Sequence, residues 1–440
     1  MPIRPPSSWN SMKFLLNKNR LWLVLSLFAA GIALLYAMKV LGPWDKHWGE
    51  VHDGIKVQMG DLYSPWDGAR ELLLHRRNPY GPEVSHEIQS VFYGHAISQT
   101  YGGPPAVVTN EQRFAYPVYV VFLLAPTVYA DFEHVVRPWA EFAFGILTVI
   151  SVLLCLDILR WRLPWEAVMA VALFTLSSPQ ILQGLRFEQL ALVVGFLLIA
   201  SAWCVSRHHL ATAGILLAVS TMKPQMVVLP LCWFAIWAAG DWSKRWRLPA
   251  SFIATMAVLV AAGELLLPGW TGYFLAGLAA YRRYARPTST LQMALGDTLG
   301  EVVGGIIILV LLALAWRNRK DAGDSSQFAG LLAAFLMGDL LAFPLFTPFN
   351  QALLILPVML LLHDWKTLRR FSKLVFVICI SWPWVVSTVL LLFPPHVDSA
   401  SPLPLLPSFL VPFMPLILPL LLMTRRRQPT DLPATDLNLA

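Results

Sequence analysis

The sequence predicts an all-α polytopic membrane protein, a bundle of about twelve transmembrane helices with a long first extracytoplasmic loop containing short surface helices. Three observations predict it. Of 440 residues, 57% are hydrophobic and 13% charged, with a mean hydropathy of +0.59, whereas soluble domains carry about 25% charged residues. Apolar runs of roughly 20 residues, the length of a bilayer-spanning helix, recur along the chain. Lys and Arg cluster at their edges, where they set orientation. The net charge of +7 therefore needs no nucleic-acid partner, and membrane lipid is the expected surrounding.

The first apolar run, Leu21 to Leu41, follows Lys13, Lys18 and Arg20. A cleaved signal peptide has a core of about 7 to 15 residues, so this run reads as an uncleaved anchor with its N-terminus in the cytoplasm. The next segment, 43–112, is polar and rich in Pro and Gly. A connection that long is usually functional, and it is the expected first extracytoplasmic loop. Further apolar segments begin near Phe114, Trp139, Trp165, Leu190, Leu210, Pro249, Glu301, Phe328, Ala352, Leu374 and Pro404. The basic clusters Lys244-Arg-Trp-Arg247, Arg317-Asn-Arg-Lys320, Lys366 to Arg370 and Arg425-Arg-Arg427 follow every second span, as cytoplasmic loops should.

Both termini then lie in the cytoplasm, with 425–440 as a tail, and the whole chain 1–440 reads as one membrane domain. Two places strain this order. Arg160 and Arg162 fall on the outer side, and Leu210 to Gly240, read as one span, carries Lys223-Pro224 in its middle. A second extracytoplasmic loop, 268–300, holds Tyr281-Arg-Arg-Tyr-Ala-Arg286, and a shorter one holds His396 and Asp398. No internal repeat of the transporter kind is visible. The unequal loops favour an enzyme on a membrane scaffold over a transporter or flippase, and over a ligase, which would carry its main loop nearer the C-terminus.

Within the first loop, Ser64-Pro-Trp-Asp67 fits a helix start, with Ser64 as N-cap, Pro65 at the first helical position and Asp67 closing a capping box. The short helix carries Ala69, Leu72 and Leu73 on its apolar side and is expected along the membrane surface. Asn78-Pro-Tyr-Gly81 ends it as a turn. Asp67 thus has a structural duty available, Asp53 in His52-Asp-Gly54 reads as a turn residue, and Asp45 as an interfacial charge. Asp61 has no such local duty and is free to face a substrate. The cysteines Cys155, Cys204, Cys232 and Cys379 all fall in apolar segments with no metal-ligand spacing, so neither disulfides nor zinc are expected.

Several of these pieces resemble glycosyltransferase family 87: Asp61-Leu-x-x-x-Trp-x-Gly-Ala-Arg-x-Leu-Leu running on to Asn78-Pro-Tyr80, Phe114-x-Tyr116-Pro117, Leu176-Ser-Ser-Pro179, Gly184-Leu-Arg-Phe-Glu-Gln189, Ala213-Gly214, Lys223-Pro-Gln225, and Pro348-Phe-Asn-Gln351 with Leu356-Pro357. The likeness covers most of the chain. It implies a GT-C-like bundle, a catalytic acid in the first periplasmic loop, which falls on Asp61, and an inverting transfer from a polyprenyl-phosphate-linked sugar to an envelope glycolipid or glycan. The best-known relatives transfer mannose or arabinofuranose in mycobacterial envelopes. No cofactor is implied. Where the family often has Gly-Gln, this chain reads Glu188-Gln189, and a histidine that some members carry in the second large loop has no match.

The chemistry asks for a base near the acceptor oxygen, help for the leaving phosphate and exclusion of water. Asp61 suits the first, with an unperturbed pKa of about 3.9 that a nearby helix N-terminus would preserve. Arg282, Arg283 and Arg286 are candidates for the phosphate, balanced by lipid headgroup contact. Lys223, inside an apolar run, holds phosphate or pairs with an acid such as Glu188. The substrate-site candidates are Asp53, Asp67, Tyr80, Glu188, Gln189 and Gln225, with an interfacial loop as the plainer reading of Glu188 and Gln189. Glu264 and Asp339 read as pairing groups. The sequence carries no Asp-x-Asp nucleotide-sugar signature and no Gly-rich phosphate loop, and no metal ligand set is assigned.

Overall fold

The computed structural model describes residues 18–53, 59–97, 111–285, 288–396 and 401–423. Of the described residues 79% are helical, and none is in a strand. Among the described residues, six helical stretches are long and apolar enough to cross a membrane: Asn19–Val51, Phe132–Ile158, Arg247–Leu266, Asp297–Arg317, Arg370–Leu392 and Leu403–Leu421. A seventh is the pair Trp165–Leu176 and Pro179–Arg186, bent by 62°. Pro179 excludes the α region from the residue before it, and Ser178 accordingly has φ −68 and ψ 145. Leu190–Ser206, Leu210–Ser220, Val228–Gly240, Ser326–Ala342 and Pro348–His363 are apolar but shorter.

The elements depart from the sequence expectation in three places. The first helix does not stop at Leu41 but continues through Gly42–Trp48 and Gly49–Asp53; the π-turn Ala37–Leu41 just before Pro43 absorbs a ring that would break a regular α-helix. The expected span from Phe114 is absent: only Val120–Leu124 and Ala125–Thr127 are helical there, and the long helix waits for Asp131, whose carboxylate accepts from His134 N at 2.8 Å. Leu210 to Gly240 is two helices, parted at Lys223-Pro224.

Side-chain contacts sort the connections into two ends. At one end Arg160 pairs with Asp324 and Arg207 with Asp157, while buried Arg245 donates to the carbonyls of Trp237 at 2.6 Å, Arg319 at 2.7 Å and Asp321 at 2.8 Å. At the other end Asp45 pairs with Arg186 at 2.9 Å and Glu188 with Arg137 at 3.0 Å. The first helix arrives at this second end and Arg137–Ile158 departs from it, and the described residues between them, Phe114 included, form no helix long enough to cross. Arg160 therefore lies at the basic end with Arg245 and Arg319, and its apparent breach of the charge rule came from counting a span that is not there.

Between the two ends the interior is aromatic as well as aliphatic. Trp233 on Val228–Gly240 packs against Phe328 and Phe335 on Ser326–Ala342, with ring centroids 5.5 and 6.0 Å apart. Asp339, on the same helix, is fully buried and accepts from Leu229 N at 3.1 Å, which satisfies a first-turn amide of the helix beginning at Val228. Glu264 likewise serves the backbone, accepting from Gly269 N at 2.6 Å.

Candidate active site

The first loop carries its acid on a tight turn before a helix. Tyr63 N donates to Gly60 O and Trp66 N to Leu62 O, both at 3.0 Å, so helix Tyr63–His75 starts from Leu62 with no side-chain cap. Ser64 is thus not the N-cap: it lies inside the first turn and donates to Gln112 Oε1 at 3.3 Å. Asp67 closes no capping box; it is buried in the helix, where desolvation together with Glu71 and Glu87 pushes its carboxyl up to about 6. Because Ser64, Trp66, Asp67, Ala69, Glu71 and Leu72 are all buried, the helix is embedded in protein rather than lying on the membrane with one face. Asn78-Pro-Tyr-Gly81 is the expected turn, with Gly81 N on Asn78 O and Tyr80 N on Asn78 Oδ1, both at 3.0 Å.

Asp61 is fixed from both its main chain and its side chain. Its N–H donates to Phe187 O at 2.9 Å, and its half-buried carboxylate accepts from Gln189 Nε2. Gln189 passes the connection on, its Oε1 accepting from Lys223 Nζ at 3.1 Å; the same ammonium donates to Asn350 Oδ1 at 3.2 Å and stands 5.1 Å from the ring of Phe349. Asn350 is held in turn by Thr347 Oγ1 at 2.7 Å. The local cause of Lys223's position is Pro224, which drives the preceding residue out of the helical region to φ −125 and ψ 76. Desolvation raises the Asp61 carboxyl from the ordinary 3.8 to about 6, with the Lys223 charge and the Gln189 hydrogen bond opposing. The value near 3.9 expected for an exposed aspartate does not hold because the group is packed among protein atoms.

Aromatic side chains frame this cluster. Tyr80 donates to Tyr116 O at 2.6 Å and meets Phe114 edge-on with centroids 5.0 Å apart. Tyr116 and Tyr281, the latter on helix Trp270–Ala285, both lie within electrostatic reach of Asp61. That helix occupies about half of what the sequence suggested was a second loop, 268–300. Arg282 is exposed near its end; the side chain of Arg283 and all of Arg286 lie outside the described residues. Gln225, on the turn Pro224–Met226, takes no part in the hydrogen bonds of the cluster. Asp53 ends the helical stretch Gly49–Asp53 instead of forming a turn, and its side chain lies outside the described residues.

Glu188 and Gln189 are not an interfacial loop: they are 0% and 3% exposed. Glu188 pairs with Arg137, not with Lys223, whose ammonium donates to Gln189 and Asn350. Sequence reasoning assigned no role to Asn350, Phe349, Tyr281 or Arg137. For Asn350 a signal was present, a polar pair in the otherwise apolar Pro348 to Pro357; Arg137 offers none.

The cluster brings a carboxylate, an amide, an ammonium and aromatic rings to one end of the bundle. That set can accept a proton, hold an anion and face a ring-shaped substrate. The family model for glycosyltransferase family 87 matches residues 114–348, a stretch that holds Gln189 and Lys223 and begins after Asp61. No curated protein and no solved structure matches the chain.

Proposed function

The chain belongs to glycosyltransferase family 87, and on that premise we propose that it transfers a mannose-like hexose or arabinose from a polyprenyl-phosphate donor to an envelope glycolipid or glycan, with inversion and with Asp61 as general base. In this reaction the acceptor hydroxyl loses its proton to Asp61 as its oxygen bonds to the anomeric carbon. The bond from that carbon to the phosphate oxygen breaks, and the polyprenyl phosphate leaves with the electron pair. Lys223 meets the leaving phosphate. Its ammonium has three N–H donors, of which Gln189 and Asn350 take two, and both partners are neutral amides that leave its charge uncancelled.

The observation that carries this reading is the Asp61–Gln189–Lys223 chain, which sets a base and a cation in one site. An Asp61 pKa of about 6 suits a base that must be ionised near neutrality yet retain proton affinity. The gathering of Arg160, Arg207, Arg245 and Arg319 at one end supports, through the charge rule, a cytoplasmic reading of that end and an extracytoplasmic site at Asp61 in a bacterial plasma membrane.

If the five shorter apolar helices and the bent pair each traverse the protein, the chain crosses twelve times and both termini are cytoplasmic. The lost Phe114 span and the divided Leu210 to Gly240 segment offset one another in that number. The test supplies purified protein in lipid with radiolabelled polyprenyl-phosphate sugars and a crude lipid acceptor. Transfer by wild type and not by Asp61→Asn is expected; no transfer by wild type, or equal transfer by both, refutes the proposal.

A further inference from the structure

Residue 188 occupies a backbone position that favours glycine. Helix Pro179–Arg186 ends with Glu188 N on Leu185 O at 3.0 Å and Gln189 N on Gly184 O at 2.8 Å, the paired bonds of a Schellman turn. The residue that makes such a turn adopts the left-handed conformation and is usually glycine. Glu188 is there with φ 44, a conformation that strains an L-residue.

The side chain itself is buried beside a cation. Glu188 is 0% exposed, with Oε1 3.0 Å from Arg137 Nε. Gly60 lies against the same carboxyl group: a Cβ built there would fall 1.3 Å from Glu188 Oε2 and 2.9 Å from Oε1. Gly60 is not among the residues with positive φ, so its backbone would accept any side chain. Only the room taken by Glu188 requires glycine at 60. The residue after Gly60 is Asp61, and the residues flanking Glu188 are Phe187, which binds the Asp61 N–H, and Gln189, which binds its carboxylate.

We propose that Glu188 is a positioning residue for Asp61: anchored by Arg137, its carboxylate is the wall against which Gly60 packs, and this contact sets the Asp61 carboxylate against Gln189. Bulk at 188 and its absence at 60 form one steric pair. The proposal rests on the reading of Asp61 as the base, and deepens it.

The full-length protein in lipid is compared with Gly60→Ala, Glu188→Gly, the double variant and Glu188→Gln, by kinetics and by melting temperature. Gly60→Ala should lower kcat by about tenfold or more with the donor KM within about twofold, the signature of a displaced catalytic group. Adding Glu188→Gly, which vacates the space, should restore at least about fivefold, and Glu188→Gln, which keeps the shape, should stay nearer wild type than Glu188→Gly. A double variant no better than Gly60→Ala, or kcat per folded molecule unchanged while melting falls, overturns the positioning role. Should wild type transfer no sugar, the assignment of the base fails by itself, and the melting temperatures still decide the contact: non-additive effects at 60 and 188 uphold it, additive ones refute it.

Discussion

Gln189 donates from Nε2 to a carboxylate oxygen of Asp61, joining groups 128 residues apart in the chain. The bond matters because the other end of the same amide accepts from Lys223. An amide cannot carry charge, so it keeps cation and carboxylate in fixed relation without letting them collapse into a contact ion pair. Both groups then remain available to a substrate.

Asp61→Asn should lower transfer by about 10² to 10⁴-fold, the usual contribution of a general base. The pH profile supplies a second check. Only the ionised carboxylate accepts a proton, and its pKa is about 6, so the wild-type initial rate should be level above that pH and fall about tenfold per unit below it. A rate that persists undiminished at pH 4.5 excludes Asp61 as the base.

Lys223→Met should move that acid limb upward, by on the order of one pH unit. The Lys223 charge lowers the Asp61 pKa, and its removal leaves burial unopposed. The midpoint of the rate profile reads the shift; an unchanged midpoint means the two groups are electrostatically independent.

Asp67→Asn should stabilise the protein above pH 6 and not at pH 4. Folding raises the Asp67 pKa from 3.8 to about 6, so the folded state holds the proton more tightly than the unfolded one. Its favourable contribution is complete below 3.8 and is lost as pH rises through about 6. An amide does not ionise and escapes that loss, worth up to about 3 kcal/mol. Melting temperatures at the two pH values test it.

Arg245→Lys should lower the melting temperature by an amount equivalent to roughly 2 to 4 kcal/mol. The planar guanidinium reaches carbonyls on two segments and lies over Trp237, 4.0 Å from its ring. A single ammonium cannot reproduce that fork, and the carbonyls of Arg319 and Asp321 would be left unpaired. Melting equal to wild type would show that water replaces it without cost.

Single cysteines at Arg160 and Lys320 should react with a membrane-impermeant maleimide only after cells are opened, whereas one at His86 should react in intact cells. All three positions are exposed. Labelling of Arg160→Cys from outside would restore the span at Phe114 and refute the two-ended arrangement.

Much of the helical framework was legible because unbroken apolar runs announce themselves: Leu190 and Leu210 begin helices where the hydropathy begins. Hydropathy cannot separate a crossing from apolar chain folded back on one side, and Phe114 to Ala130 was misread for that reason, its Pro117 and Pro126 outvoted by its composition. The cap at Ser64 failed differently. A neighbouring turn, closed by the Gly60 carbonyl, started the helix two residues earlier than the side-chain pattern implied. In the site, Asp61 stood out as a loop acid without a local duty and Lys223 as a cation in an apolar run. Asn350 and Arg137 reach the cluster only through tertiary packing, 127 residues from Lys223 in the first case, and no local pattern encodes such a meeting.

The break at Lys223-Pro224 also fixes a depth. The helix leading to it from the basic end, Leu210–Ser220, has 11 residues, about 17 Å at 1.5 Å each, while the hydrocarbon layer is about 30 Å thick. On the proposed topology Lys223 then lies beneath the outer water boundary, where the proposed lipid-tethered phosphate would reach it sideways with its tail still among other acyl chains and the sugar of the acceptor would be the group that has to descend.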